Sequence, residues 1–119
     1  MKKNVILEKS ELFSVRMVKL HHYLNQRKRE YVMSQQILKS GTSIGANVSE
    51  SQNAQSKADF IHKLNIALKE ADETMYWLKL LHKTHYLTLT EFQSLKRDTE
   101  ELLKLLKSII KTSKSRISN

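Results

Sequence analysis

The segment Ser40-Gly41-Thr42-Ser43-Ile44-Gly45-Ala46-Asn47 contains both glycines of the chain and no charged residue, within a protein of formal net charge +9. An isolated helix of this composition would be weak, since each Gly costs roughly 1 kcal/mol relative to Ala and Ser, Thr and Asn are poor helix formers. The helical period nevertheless runs through it. Ile37, Gly41, Ile44 and Val48 step by four, three and four and share one face. Beside them, displaced by about 100°, lies a polar stripe of Gln36, Ser40, Ser43, Asn47 and Glu50. The spacing predicts a helix from Tyr31 or Val32 to about Ser51, held by tertiary contacts rather than by propensity.

A phosphate-cradling loop needs Gly-x-x-x-x-Gly-Lys-Ser/Thr, whereas these glycines are four apart and Ala46 follows the second, which excludes that motif. Gly41 and Gly45 on one face instead allow a neighbouring helix to come close. The polar stripe is expected to line either an internal hydrogen-bond network or a subunit interface, because polar groups withdrawn from water need partners.

The sequence of 119 residues fits a single domain spanning 1–119, long enough to bury a core. Zero Pro, only two Gly and long segments stepping by three and four define an all-α class. Zero Cys excludes disulfide and thiolate chemistry and fits a reducing, cytoplasmic setting. Lys2 and Lys3 precede only a short Val5-Ile6-Leu7 run, too brief for a signal peptide, and no long apolar run predicts a membrane span. The excess of 21 Lys and Arg over 12 Asp and Glu favours an acidic partner such as RNA or DNA.

Outward from the glycine segment, three further helices are expected. The first is capped by Ser10, carries Phe13, Met17, Leu20 and Leu24 on its buried stripe, and ends near Gln26 before Arg27-Lys28-Arg29. The third opens at Ser56, with Asp59 three residues on as a variant capping box. Its core stripe is Phe60, Leu64, Ala67, Ala71, Met75, Leu78 and His82. A neighbouring stripe that includes Asp59, Lys63, Glu70, Glu73 and Trp77 is placed to meet the polar stripe of the second helix. After a loop over residues 85–89, Thr88 with Glu91 or Thr90 with Gln93 offers a capping box for the fourth helix, whose core stripe is Phe92, Leu95, Thr99, Leu102, Leu106 and Ile109. On another face Lys104, Lys107, Lys111 and Lys114 form a basic stripe. Four amphipathic helices with short connections predict an antiparallel up-down-up-down four-helix bundle.

Such bundles can house a carboxylate-bridged metal pair, which needs two Glu-x-x-His motifs. The chain has only Asp59-Phe60-Ile61-His62, with the shorter acid and no second copy, and it has no Gly-x-Ser-x-Gly nucleophile motif. Catalysis, a metal and a cofactor are therefore not expected.

Gln36, Ser40 through Val48 and Glu50, followed by Ser56-Lys57-Ala58-Asp59-Phe60, Lys63-Leu64, Ala67 through Ala71 and Glu73, resemble the four-helix-bundle proteins encoded in bacterial 23S rRNA intervening sequences. The resemblance is tight from about Gln35 to Leu81 and looser in the outer helices, and Lys69-Glu70 stand where many relatives carry small residues. It implies a cytoplasmic bacterial protein that assembles into a ring-like homopentamer. A related branch serves as the accessory protein of diversity-generating reverse transcriptases, and those relatives bind nucleic acid through a basic surface. The expected function is non-enzymatic binding of RNA or other nucleic acid through phosphate contacts, with Arg27, Lys28, Arg29, Lys104, Lys107 and Lys111 as the contacting residues. The alternative is a protein-interaction scaffold or accessory subunit. Gln36, Ser40, Gly41, Ser43, Gly45, Asn47, Glu50, Asp59 and Lys63 are assigned to helix packing or to an interface.

Overall fold

The chain begins its first helix earlier than Ser10. In the computed structural model, which describes residues 4–118, Asn4 is the N-cap of α1 (Val5–Gln26), its side chain accepting a hydrogen bond from Leu7 N–H at 3.2 Å. Ser10 is fully buried inside the helix and donates to the Leu7 carbonyl. Lys2, Lys3 and Asn119 lie outside the described residues. There follow α2 (Met33–Ser51), α3 (Lys57–Lys83) and α4 (Leu89–Ser118), an all-α, antiparallel four-helix bundle. Neighbours in sequence pack side by side, α4 closes the ring against α1 along the slimmest seam, and the backbones of the diagonal pairs stay apart. The molecule measures 51 × 26 × 21 Å; α4 sets much of the length, since 30 residues rise about 45 Å.

The turns show why two glycines suffice. Arg29 in the α1–α2 turn has φ 54° and His85 just past α3 has φ 69°, so non-glycine residues occupy both left-handed positions. After α3, Tyr86 N–H donates to Leu81 O at 2.9 Å, the bond that closes a Schellman-type end around His85. The turn at Arg29 brings Glu30 beneath α2. Its carboxylate accepts from the backbone N–H groups of Val32 at 3.1 Å, Met33 at 3.0 Å and Ser34 at 2.7 Å, satisfying amides that a helix start leaves without partners. At the start of α4 Thr88 and Glu91 form a reciprocal capping box, Thr88 N–H to Glu91 Oε1 at 2.8 Å and Glu91 N–H to Thr88 Oγ1 at 3.2 Å. At α3 the box is skewed: Ser56 Oγ accepts from Asp59 N–H, but the Asp59 carboxylate reaches Gln55 N–H instead of Ser56.

The core contains Phe13, Met17, Leu20 and Leu24 of α1, Ile37, Ile44 and Val48 of α2, Leu64, Ala67, Ala71 and Leu78 of α3, and Leu95, Leu102 and Leu106 of α4. The expected stripes drift by one residue at their ends. Ile61 is buried where Phe60 was expected, and Ile110 where Ile109 was expected; Phe60, His82, Phe92 and Ile109 are half-buried. In α4 the three-four alternation averages about 3.5 residues per turn against 3.6 in the helix, so the stripe slips around the axis by about 20° per heptad and Ile110 takes the buried place of Ile109. His82 and Phe92 instead stack at 4.5 Å with near-parallel rings, joining the end of α3 to the beginning of α4. No helix among the described residues is long and apolar enough to cross a membrane.

Candidate nucleic-acid interface and the glycine seam

The glycine face of α2 meets α1. A Cβ at Gly41 would fall on Cγ and Sδ of the fully buried Met17, and one at Gly45 would stand 2.9 Å from Ser14 Oγ and 3.1 Å from the Ser10 carbonyl oxygen. The two glycines therefore admit a side chain at one position and a helix backbone at the other, which is the physical reason a weak helix former is used here.

The polar stripe beside them does not form one continuous network. Ser43 donates to Lys39 O at 2.7 Å and the Asn47 amide to Ser43 O at 2.8 Å, both within α2, while Gln36 is exposed. Two members reach across to α3. Ser40, fully buried, accepts from Thr74 Oγ1 at 2.9 Å, and Glu50 pairs with Lys63 at 3.3 Å. The single Thr74 hydroxyl proton is shared with the Glu70 carbonyl at 2.8 Å. Between these ties Glu70 faces the seam. Burial, and secondarily the neighbouring Glu73 charge, raise its carboxyl above the ordinary glutamate range against the pull of Lys39 and Lys69.

The six cations expected to contact nucleic acid are all exposed, but the fold does not bring them together. Arg27, Lys28 and Arg29 lie at the α1–α2 turn. Lys104, Lys107 and Lys111 lie on the outer side of the second half of α4. Lys9 pairs with Glu101 at 3.0 Å, which sets the level of Lys104 near the start of α1. The two groups are therefore roughly 30–40 Å apart along the bundle, at 1.5 Å per helical residue. They also differ in surroundings. The Lys28 ammonium is 5.8 Å from the Tyr23 ring centroid, and its charge reaches Glu91. The Glu91 carboxyl is held below the ordinary glutamate value chiefly by the Thr88 backbone N–H, with Tyr23, the Thr88 side chain and Lys28 adding to it against burial. By contrast, the three ion pairs among the described residues use Lys9, Arg16 and Lys63, and none involves Lys104, Lys107 or Lys111.

An open groove of about 390 Å³ runs along the α1–α4 seam, floored by Phe13 and Leu102 and spanned by the Lys9–Glu101 and Arg16–Asp98 pairs. Among the described residues no three His, Asp or Glu side chains converge as metal ligands. His62 is exposed, and its neighbour Asp59 is engaged at the start of α3.

Two features escaped the sequence reading. Glu30, directly after the basic triplet, is a buried helix cap, and Thr74 is the partner of Ser40. The only hint of either was Thr74 at i+4 from Glu70, as the spacing suits a hydroxyl bonded back to its own helix.

The family model described as 23S rRNA-intervening sequence protein matches residues 2–108. A solved structure of a protein of unknown function from the S23 ribosomal protein family of Bacteroides thetaiotaomicron is 58% identical. It covers 93% of this chain and 99% of its own, and superposes with a TM-score of 0.91. No curated protein matches the chain. With the family match spanning all of α1 through most of α4, the chain belongs to the 23S rRNA-intervening sequence protein family.

Proposed function

We propose that this is a non-enzymatic, cytoplasmic, homo-oligomeric protein, pentameric as the family resemblance implies, that binds RNA or another nucleic acid through phosphate contacts. The observation that carries the reading is the stripe of Lys104, Lys107 and Lys111, exposed on one side of α4 and outside the ion pairs of the described residues. Unpaired cations at helical spacing can follow a phosphate backbone and release its counterions, a contact that carries little base information. A net charge of +9 supports the same encounter, and repetition of the stripe around an assembly would multiply it. The family takes its name from sequences that interrupt 23S rRNA, which puts RNA first among acidic partners to test.

The test is fluorescence polarisation of a labelled RNA with the wild-type chain and with K104E/K107E/K111E. Loss of binding with unchanged helicity is the expected result. Equal affinity of the two proteins would overturn the assignment of these lysines. A second reading, a protein-interaction scaffold or accessory subunit such as one serving a reverse transcriptase, has a specific feature in its favour: the exposed Leu12, Val15 and Val18 on α1. Specific capture of a protein partner after nuclease treatment, together with no affinity for RNA, would select it.

A further inference from the structure

We infer that the outward faces of α1 and α3 are the two halves of a head-to-tail interface between copies of this chain, an assignment that rests on the oligomeric reading above. Leu12, Val15 and Val18 are 66%, 47% and 43% exposed, so one helix concentrates three large apolar side chains in solvent within two turns. Apolar side chains gathered in this way mark a protein contact rather than a solvated face. On the diagonal helix, α3, Tyr76 is 59% exposed. Its ring meets Trp77 edge-on at 5.1 Å, and the Trp77 indole N–H donates to Glu73 at 3.4 Å, so the aromatic pair and the carboxylate form one ordered patch.

The two faces match in level as well as in kind. Gly41 against Met17 aligns α2 with α1, and Ser40 against Thr74 aligns α2 with α3, so Thr74 stands at about the height of Met17 and Val18. α1 and α3 run in the same direction. At 1.5 Å per residue, Glu73 then lies within roughly 4 Å of the height of Lys19, Tyr76 within about 3 Å of Val18, and Lys69 within about 3 Å of Glu11. A copy rotated about an axis parallel to the bundle would set base against acid at both ends and an aromatic ring against valines between them. Because the two faces differ and lie on opposite corners of one protomer, the contact is heterologous and propagates around a ring if the rotation closes. A two-fold α1–α1 pair would also oppose Lys19 to Glu11, but it would leave the Tyr76–Trp77–Glu73 patch uncovered.

Light scattering after size exclusion tests this with Val15→Asp, Lys19→Glu, Glu73→Lys and the double variant K19E/E73K. These residues are exposed or half-exposed at the surface, and circular dichroism verifies the fold. The expected results are an assembled wild type, Val15→Asp at the monomer mass of 13.9 kDa, loss of assembly in each single charge reversal and its recovery in the double variant. An assembled wild type that all four variants leave intact would overturn the surface assignment while preserving oligomerisation. A dimer whose Lys19→Glu defect is repaired by Glu11→Lys and not by Glu73→Lys would replace it with the two-fold pair. A wild type that is monomeric at micromolar concentration would overturn the oligomeric reading itself.

Discussion

Gly41→Ala isolates the close approach of α1 and α2. The new methyl group would enter the space of Met17 Cγ and Sδ, with Met17 Cβ 3.3 Å away, and Met17 is fully buried. Overpacking a filled core typically costs about 1–3 kcal/mol. Replacing a helical Gly with Ala returns about 1 kcal/mol. The net expectation is a loss of roughly 0–2 kcal/mol. Met17→Ala removes the obstruction at its own cavity cost of about 2–5 kcal/mol. In that background Gly41→Ala keeps its helical gain and fills part of the vacated volume, so it is expected to stabilise by about 1 kcal/mol. The interaction energy between the sites should then be about 1–3 kcal/mol, well beyond the ~0.5 kcal/mol scatter of independent substitutions. Urea unfolding of the four proteins followed by circular dichroism at one concentration measures it, the concentration being fixed because association adds to apparent stability. Additive effects, or an equal gain from Gly41→Ala with Met17 present, would refute the packing argument.

Other consequences follow from the helix ends and the seam. Glu30→Ala withdraws the acceptor of three α2 amides and is expected to cost about 2–3 kcal/mol in chemical denaturation; a change below about 0.5 kcal/mol would show the cap to be dispensable. His85→Gly relieves the left-handed backbone at the end of α3 and should add about 0.5–1 kcal/mol despite the extra unfolded-state entropy of Gly, whereas a loss would mean that His85 makes a stabilising contact. Glu91 titrates in the folded protein below its ordinary value of 4.5, so its contribution is complete above that pH and is lost as pH falls through the folded value. Glu91→Gln should flatten this acid limb in melting temperature against pH, and an unaltered limb would contradict the capping assignment. Glu70 has the opposite sign: its carboxyl is raised, so ionisation weakens the fold and Glu70→Gln should slightly raise the melting temperature at neutral pH.

The bundle was legible in the sequence because each helix carries its own period. The α2 glycine face and the Thr88–Glu91 cap could be read because the residues concerned are four or fewer positions apart. What could not be read depends on rotation and turning. Ser40 was clear as a polar residue on the edge of the core, but its partner Thr74 lies 34 residues away, and only the packing angle of α3 selects it over Glu70 or Trp77. Glu30 follows three cations and reads as part of a charged connection until Arg29 takes the left-handed conformation and turns the carboxylate under α2. The basic residues were legible as two groups, and the antiparallel path of the chain explains why they end at separate places rather than in one patch. The Leu12, Val15 and Val18 face was invisible as a surface feature, because apolar residues beside a core stripe look like a broader core until their exposure is known.

The claim that phosphate neutralisation by α4 underlies the function is most directly tested by the salt dependence of RNA affinity. Three lysines engaging a single strand contribute a slope of about −2 in log affinity against log salt, and more for a duplex. The wild type is expected to weaken about tenfold or more between roughly 50 and 200 mM salt, and K104E/K107E/K111E to lose about two or more units of slope together with its affinity at low salt. An RNA affinity that is insensitive to salt, or a slope that the triple variant leaves unchanged, would contradict it.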